Sequence, residues 1–220
     1  MPPDLPQLAD SRRTLGAVTV VWTMALIASG IAPYDRLTWW MEVAPVLIVL
    51  PLLLATRGAF PFTTLAYGLI CAHGLILIAG GTYTYARVPA GFWVQEWLAL
   101  ERNPYDRLGH FAQGFVPAIV AREILIRMFR LVHGKFLFFV VTCICLAVSA
   151  LYELIEWWSA LALGQGAHEF LGTQGDEWDT QSDMLLALIG ACSALLLLSR
   201  PHDRQLAALS PSTRRSASTG

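Results

Sequence analysis

Six apolar stretches recur along this chain, and polar positions separate them. An α-helix needs about 20 apolar residues to cross the hydrocarbon core of a bilayer, and each stretch approaches that length. The pattern therefore predicts an all-α membrane protein, a bundle of about six transmembrane helices. The predicted spans cover residues 15–33, 39–56, 61–81, 107–129, 136–158 and 181–199.

The polar segments complete the predicted organisation. We expect a single membrane domain between two cytoplasmic tails, and we expect both tails to be disordered because they are rich in Pro, Ser, Arg and Asp. Between the third and fourth spans, the sequence "FWVQEWLAL" places Trp93 and Trp97 four positions apart. This spacing predicts a short helix that lies in the membrane interface on the outer face. The predicted ranges are 1–14 for the first tail, 15–199 for the membrane domain and 200–220 for the second tail.

The composition supports a membrane protein. Of the 220 residues, 55% are hydrophobic and 14% are charged, whereas a soluble domain carries about 25% charged residues. The net charge is −1 at pH 7, and no basic stripe follows any predicted helix, which argues against a nucleic-acid partner. Membrane lipid is the expected partner, and the sequence indicates no particular protein partner.

The basic residues are distributed unevenly between the two ends of the predicted spans. If the N-terminus is inside, ten Lys and Arg residues fall in inner segments and four fall in outer segments. This bias is typical of proteins whose inner segments are cytoplasmic, so we expect both termini in the cytoplasm. The four outer residues are Arg36, Arg87, Arg102 and Arg107.

Ionisable side chains gather near the outer ends of the last three predicted spans. In "NPYDRLGHFAQGF", Asp106, His110 and Gln113 recur at the spacing of one helix face. In "SALYELIEWW", Glu153 and Glu156 share a face close to the end of the fifth span. Negative charge is disfavoured at a helix C-terminus, so this pair needs a compensating partner.

The acidic stretch "GDEWDTQSD" stands directly before the last span. Asp179 and Asp183 are one turn apart, and Asp176 lies about one turn earlier. The dipole of a helix N-terminus favours acids at such positions. Taken alone, Asp106 or Asp179 is therefore as consistent with a structural role as with a functional one. Together, however, these acids and one imidazole lie at a common depth and need positive charge, because unpaired buried charge is costly.

A bound divalent ion is the simplest source of that charge, since the outer face offers few cations. Carboxylates combined with one His suit Mg²⁺, Mn²⁺, Fe or Zn²⁺. The candidate metal ligands are Asp106, His110, Glu153, Glu156, Asp179 and Asp183, and the candidate catalytic residues are Glu153, His110 and Asp179. The candidate substrate-binding residues are Arg107, Gln113, Gln174, Asp176 and Gln181.

These residues favour a metal-dependent hydrolase or transferase that opens to the outer face. A divalent ion polarises a phosphoryl or ester oxygen or activates water, and a carboxylate such as Glu153 would act as general base. The expected substrate is amphiphilic, a lipid or polyprenyl phosphate of the cell envelope. The sequence lacks a G-x-S-x-G motif, which disfavours covalent acyl chemistry.

Two other functions stay open on the sequence. A proton- or ion-coupled transporter would use the same acids as a relay, but the inner half offers only Arg122 and Glu123 as candidates. Snorkelling toward the cytoplasm explains the position of Arg122. No inverted repeat is evident either. A non-catalytic envelope or lipid-binding protein would use the acids as structural contacts, and it would tolerate Asp183→Asn.

The same polar motifs resemble a known family. The sequences "NPYDRLGHFAQGF", "YELIEWW" and "FLGTQGDEWDTQSDM" closely resemble the bacterial inner-membrane family DUF2238, also called the YjdF family. The resemblance covers most of the membrane region. It implies a multi-pass protein of the bacterial inner, or cytoplasmic, membrane.

A more distant likeness is to VanZ-like proteins, which are associated with glycopeptide resistance and the cell envelope. Their acid at the head of the last helix is similar in place to Asp183, but Ala187 stands where an Asn is expected one turn later. The likeness therefore supports the architecture more than a mechanism. The residues similar to the pattern of an acid, a base, two residues and His-Phe are Asp106, Arg107, His110 and Phe111.

Overall fold

The computed structural model describes residues 6–163 and 176–209. These residues form seven α-helices and one short 3₁₀ turn at Tyr85–Arg87, and none of them forms a β-strand. The predicted all-α fold is confirmed. The helices are α1 (Pro6–Ile31), α2 (Arg36–Thr56), α3 (Thr64–Tyr83), α4 (Pro89–Trp97), α5 (Tyr105–Arg127), α6 (Lys135–Leu163) and α7 (Asp179–Leu209).

Six long helices correspond to the six predicted spans. Among the described residues, α1, α2, α3, α6 and α7 are long and apolar enough to cross a membrane. The fourth predicted span is α5, which has 23 residues but carries charged groups at both ends. Since α5 packs against α3, α6 and α7, protein rather than lipid covers its polar side chains, which is the usual arrangement for ionisable groups inside a bundle.

The terminal helices extend beyond the predicted spans. α1 begins at Pro6 and α7 ends at Leu209, so residues 6–14 and 200–209 are helical where the sequence predicted disordered tails. Buried contacts explain the extension of α7, because His202 and Leu206 are buried although they follow the apolar stretch. The tail prediction overlooked these contacts because it rested on composition alone.

The backbones of α5 and α7 approach each other closely at small residues. A Cβ atom added at Gly114 would lie 1.8 Å from the carbonyl oxygen of Ala187, and one added at Gly190 would lie 2.1 Å from that of Phe111. Small residues at helix interfaces allow this approach in membrane proteins. The α5–α7 pair thus forms a tight seam in the middle of the bundle.

The outward faces of the bundle are apolar. Large side chains such as Met24, Ile48 and Leu196 are exposed on α1, α2 and α7, as expected for a surface that contacts acyl chains rather than water. The short α4 confirms the helix predicted around residues 92–100. Its Trp93 and Trp97 side chains are 73% and 82% exposed, which suits a helix at the membrane interface.

Candidate functional site

The N-terminal half of α5 places three polar side chains on one helix face, as the sequence predicts. Pro104 precedes the first turn as its N-cap residue, and the helix then orients Asp106, His110 and Gln113 toward α6 and α7. The Asp106 Oδ1 atom lies 3.6 Å from His110 Nε2. Gln113 Oε1 lies 3.2 Å from the other ring nitrogen, Nδ1.

Helices α6 and α7 each add a carboxylate to this imidazole. Glu153 Oε1 lies 3.7 Å from His110 Nδ1, and Asp183 Oδ2 lies 3.7 Å from His110 Nε2. The two ring nitrogens therefore face different groups: Nε2 faces Asp106 and Asp183, whereas Nδ1 faces Gln113 and Glu153. We call these five residues the His110 cluster.

The His110 cluster contains buried oxygen atoms without hydrogen-bond partners. Asp183 is 2% exposed and Glu153 is 8% exposed, and neither Asp183 Oδ1 nor Glu153 Oε1 has a partner in the described structure. Ligand atoms of Asp106, His110 and Asp183 all lie within 4.8 Å of one another. Two ligands of one ion are separated by at most about 5 Å when each bond is about 2.0–2.6 Å, so these three atoms have the spacing of a shared metal site.

A buried acid from α2 joins the cluster and was not assigned to it from the sequence. Glu42 is 3% exposed, and the Tyr152 hydroxyl donates to its Oε2 atom at 3.3 Å. The Tyr152 ring in turn packs edge-on against His110, with 6.3 Å between centroids. The sequence did contain a signal for Glu42, since a lone acid in an apolar span is itself a functional candidate.

Glu156 lies beside these residues without touching the imidazole. It is half-buried on α6, and it adds a further carboxylate to a region in which His110 is the central basic group. An excess of buried negative charge therefore surrounds this end of α5. The acids that interact electrostatically with Glu156 are Glu153, Asp106, Glu42 and Asp183.

Asp179 and Asp176 form a separate rim with two arginines. Arg102 Nη2 lies 2.6 Å from Asp179 Oδ1 and 3.3 Å from Asp176 Oδ2, and Arg107 Nη2 lies 3.8 Å from Asp176 Oδ2. The structure thus places Asp179 against a guanidinium, not against His110. A cavity of about 680 Å³ opens here, lined by Arg102, Arg107, Asp176 and neighbouring residues such as Leu100.

One predicted substrate-binding glutamine, Gln181, lies apart from the cluster. Gln181 is exposed on the first turns of α7. Gln174 lies outside the described residues. Gln113, in contrast, hydrogen-bonds to His110, so its position suits an orienting residue.

A second polar network lies at the other end of α5 and centres on Glu123, which is fully buried. Its carboxylate accepts hydrogen bonds from the Thr63 backbone N–H at 3.0 Å and the Thr63 hydroxyl at 2.8 Å. Arg127 donates to the same carboxylate, and His202 Nε2 lies 3.0 Å from it. Every oxygen of this acid has partners.

Arg122 extends this network and fixes the tautomer of His202. It donates to His202 Nδ1 at 2.9 Å and to Asp203 Oδ1 at 2.6 Å. A guanidinium can only donate, so Nδ1 accepts and the ring proton resides on Nε2, where it is donated to Glu123. Arg122 is 3% exposed, and the predicted snorkelling of Arg122 is wrong because His202 and Asp203 on α7 bind its guanidinium inside the bundle.

Similarity to known proteins identifies the family of this chain. It matches the family model described as "Predicted membrane protein (DUF2238)" over residues 14–204. It is 59% identical over 192 residues to the Inner membrane protein YjdF of Escherichia coli (strain K12), which covers 87% of this chain and 92% of that protein. No solved structure is significantly similar. The helical bundle and these matches agree, and the chain therefore belongs to the DUF2238 family as an integral inner-membrane protein.

Proposed function

We propose that the His110 cluster binds one divalent cation through Asp106, His110 Nε2 and Asp183. The observation that carries this proposal is that the two ring nitrogens of His110 face different sets of groups. Nε2 faces two carboxylates, while Nδ1 faces Gln113 and Glu153. A metal-binding His commonly donates its second ring N–H to a carboxylate or amide oxygen, which orients the ring.

The Glu123 network provides an internal comparison that supports the proposal. Both sites are buried and combine a His with acids, but hydrogen-bond donors from the protein satisfy Glu123 completely. Asp183 Oδ1 and Glu153 Oε1 have no such donors in the described structure. Buried carboxylate oxygens are normally satisfied, so these acceptors require either a cation or added protons.

The proposed activity is hydrolysis or transfer at a phosphate group of an envelope lipid or polyprenyl phosphate. A bound divalent ion would polarise a phosphoryl oxygen or lower the pKa of water. Glu153 would act as the general base, and the rim arginines Arg102 and Arg107 would attract the phosphate. Asp179 then acts by holding Arg102 rather than as a ligand.

The test is phosphate release by detergent-purified protein from undecaprenyl diphosphate and from phosphatidic acid, with and without added Mg²⁺, Mn²⁺ or Zn²⁺. We expect metal-dependent release by the wild type and a loss of at least 100-fold in Asp183→Asn and Glu153→Gln. Glu96→Gln is the matched control because Glu96 is an exposed acid on α4 that does not line the cavity at the rim arginines. Release that is independent of metal, or unchanged in Asp183→Asn, would contradict the proposal.

A carrier is the alternative that the Glu123 network favours, because it supplies buried polar groups at the second end of the bundle. A carrier also needs a polar path between its two ends. Residues 114–121 of α5, between Gln113 and Arg122, are all apolar or glycine, and the tight α5–α7 seam occupies this depth. Proton or ion flux in sealed vesicles that stops in Asp183→Asn would favour the carrier over the enzyme.

A further inference from the structure

A cleft lies between the beginning of α1 and the end of α2, away from the His110 cluster. Its volume is about 340 Å³. It is found at the end of the bundle that holds the Glu123 network, since α1 begins and α2 ends there. The lining residues are Arg12, Leu15, Gly16, Leu54, Arg57 and Gly58.

The lining combines two guanidinium groups with an apolar wall. Arg12 and Arg57 come from different helices, and no lining residue is acidic. Leu15 is buried and Leu54 is half-buried, so apolar surface adjoins the charged groups. Gly16 and Gly58 leave the cleft open, because a Cβ atom added at either would meet nothing within 4 Å.

These two arginines differ from several others in lacking a partner. Arg36 donates to the carbonyl groups that end α1, Arg122 binds Asp203, and Arg127 binds Glu123. In contrast, neither Arg12 nor Arg57 has a hydrogen-bond acceptor or an ion-pair partner among the residues that the structure describes. Both side chains are exposed, so their guanidinium groups are accessible to an anion that enters the cleft.

We infer that this cleft binds a phosphate group, and that the phosphate belongs to the headgroup of an anionic lipid. Guanidinium groups hold phosphate oxygens with paired, charge-assisted hydrogen bonds. The half-buried Leu54 gives an acyl chain apolar surface to follow into the bilayer, which inorganic phosphate does not require. On the predicted orientation this end is cytoplasmic, where basic residues near the membrane attract anionic lipids.

The experiment is native mass spectrometry of the full chain released from detergent, after addition of phosphatidylglycerol, phosphatidylcholine or inorganic phosphate. We expect one retained phosphatidylglycerol in the wild type and about 10-fold weaker retention in Arg12→Gln and in Arg57→Gln. Arg13→Gln is the matched control, because Arg13 is the exposed neighbour of Arg12 on the same helix and does not line the cleft. Its retention should equal that of the wild type.

Several other results would overturn the proposal or one part of it. Equal losses in all three variants would show general attraction to positive charge and overturn a built site, as would unchanged retention in all three or none in the wild type. Equal retention of phosphatidylcholine would overturn selection of an anionic headgroup. Inorganic phosphate that displaces the lipid at micromolar concentration would keep the phosphate site and overturn its lipid source. Melting temperatures of the variants within 2 °C of the wild type establish that they are folded.

Discussion

His110 and His202 are both buried histidines among carboxylates, and the difference between them lies in the neighbouring atoms. Arg122 donates a hydrogen bond to one nitrogen of His202, and the other nitrogen hydrogen-bonds to Glu123. Both ring nitrogens of His202 therefore have a partner. At His110, two acids converge on one nitrogen and Asp183 retains an oxygen without a partner. Residue type alone therefore does not distinguish these two environments, whereas the count of hydrogen-bond donors and acceptors does.

The first prediction compares one acid from each site in chelator-treated protein. Glu123→Gln should lower the melting temperature strongly, because breaking a buried charge network by removing one partner costs about 3–5 kcal/mol. Asp183→Asn should leave the melting temperature unchanged or raise it, because it removes an unpaired buried charge. Thermal unfolding in detergent measures both. A larger loss in Asp183→Asn than in Glu123→Gln would contradict this assignment of the two sites.

At the scale of helices, α5 and α7 meet where Gly114 lies against the backbone of Ala187. The contact is with a carbonyl oxygen, which cannot rotate away as a side chain can, so any side chain at Gly114 must separate the helices. Both helices carry residues of the His110 cluster at one end and of the Glu123 network at the other. The seam therefore sets the alignment of both polar sites.

The second prediction is that Gly114→Ala destabilises the protein by about 1–3 kcal/mol or more, as overpacking does, and disturbs both sites. Gly68→Ala is the control, since Gly68 is also within a helix but has open space around its Cβ position. That change should be neutral or stabilising because Ala favours helices. Thermal unfolding of the two variants side by side tests the difference, and equal melting temperatures would contradict a tight seam.

The third prediction concerns the beginning of α2. The Asp35 side chain accepts a hydrogen bond from the Thr38 backbone N–H at 2.7 Å, and this bond lowers the pKa of the Asp35 carboxyl. A lowered folded-state pKa means that the stabilisation is present at neutral pH and is lost as the pH falls through that pKa.

Asp35→Ala should therefore cost about 0.5–2 kcal/mol at pH 7, the usual range for losing an N-cap, and less at pH 3. Melting curves at the two pH values measure this, and Asp35→Asn controls for charge because Asn also caps helices. A stability loss that is equally large at pH 3 would contradict the role of the carboxylate.

For the whole molecule, the sequence predicts the architecture well and the partners of individual residues poorly. The length of an apolar stretch is a strong local signal, and it predicted all six long helices, including α5. Helical spacing likewise brought Asp106, His110 and Gln113 to one face, and the convergence of Glu153 and Asp183 on them agrees with the expectation from common depth.

The remaining features depend on contacts between distant segments, which spacing cannot reveal. Nothing local to Asp179 indicates that Arg102 reaches it. The sequence placed His202 in a tail. In the structure it contacts Glu123 inside the bundle, although the two residues are 79 positions apart in the chain. Glu42 was visible as an acid in an apolar span, but its hydrogen bond with Tyr152 on α6 could not be predicted.

The fourth prediction concerns the orientation of the bundle, which rests on the uneven distribution of Lys and Arg. In a cysteine-free background, Glu101→Cys should react with a membrane-impermeant maleimide added outside intact spheroplasts, and Ala59→Cys should react only after lysis. Both positions are exposed in the structure and lie at opposite ends of the bundle. The reverse labelling pattern would contradict cytoplasmic termini and would turn the His110 cluster toward the cytoplasm.

Elemental analysis of detergent-purified protein tests the central claim most directly, since the claim is that the His110 cluster holds a divalent cation. The wild type and Glu96→Gln should each carry about one divalent ion per chain, and His110→Ala and Asp183→Asn should carry none while remaining folded. If the wild type carries no ion, and added Mg²⁺, Mn²⁺, Fe²⁺ or Zn²⁺ does not raise its melting temperature, the metal site is contradicted.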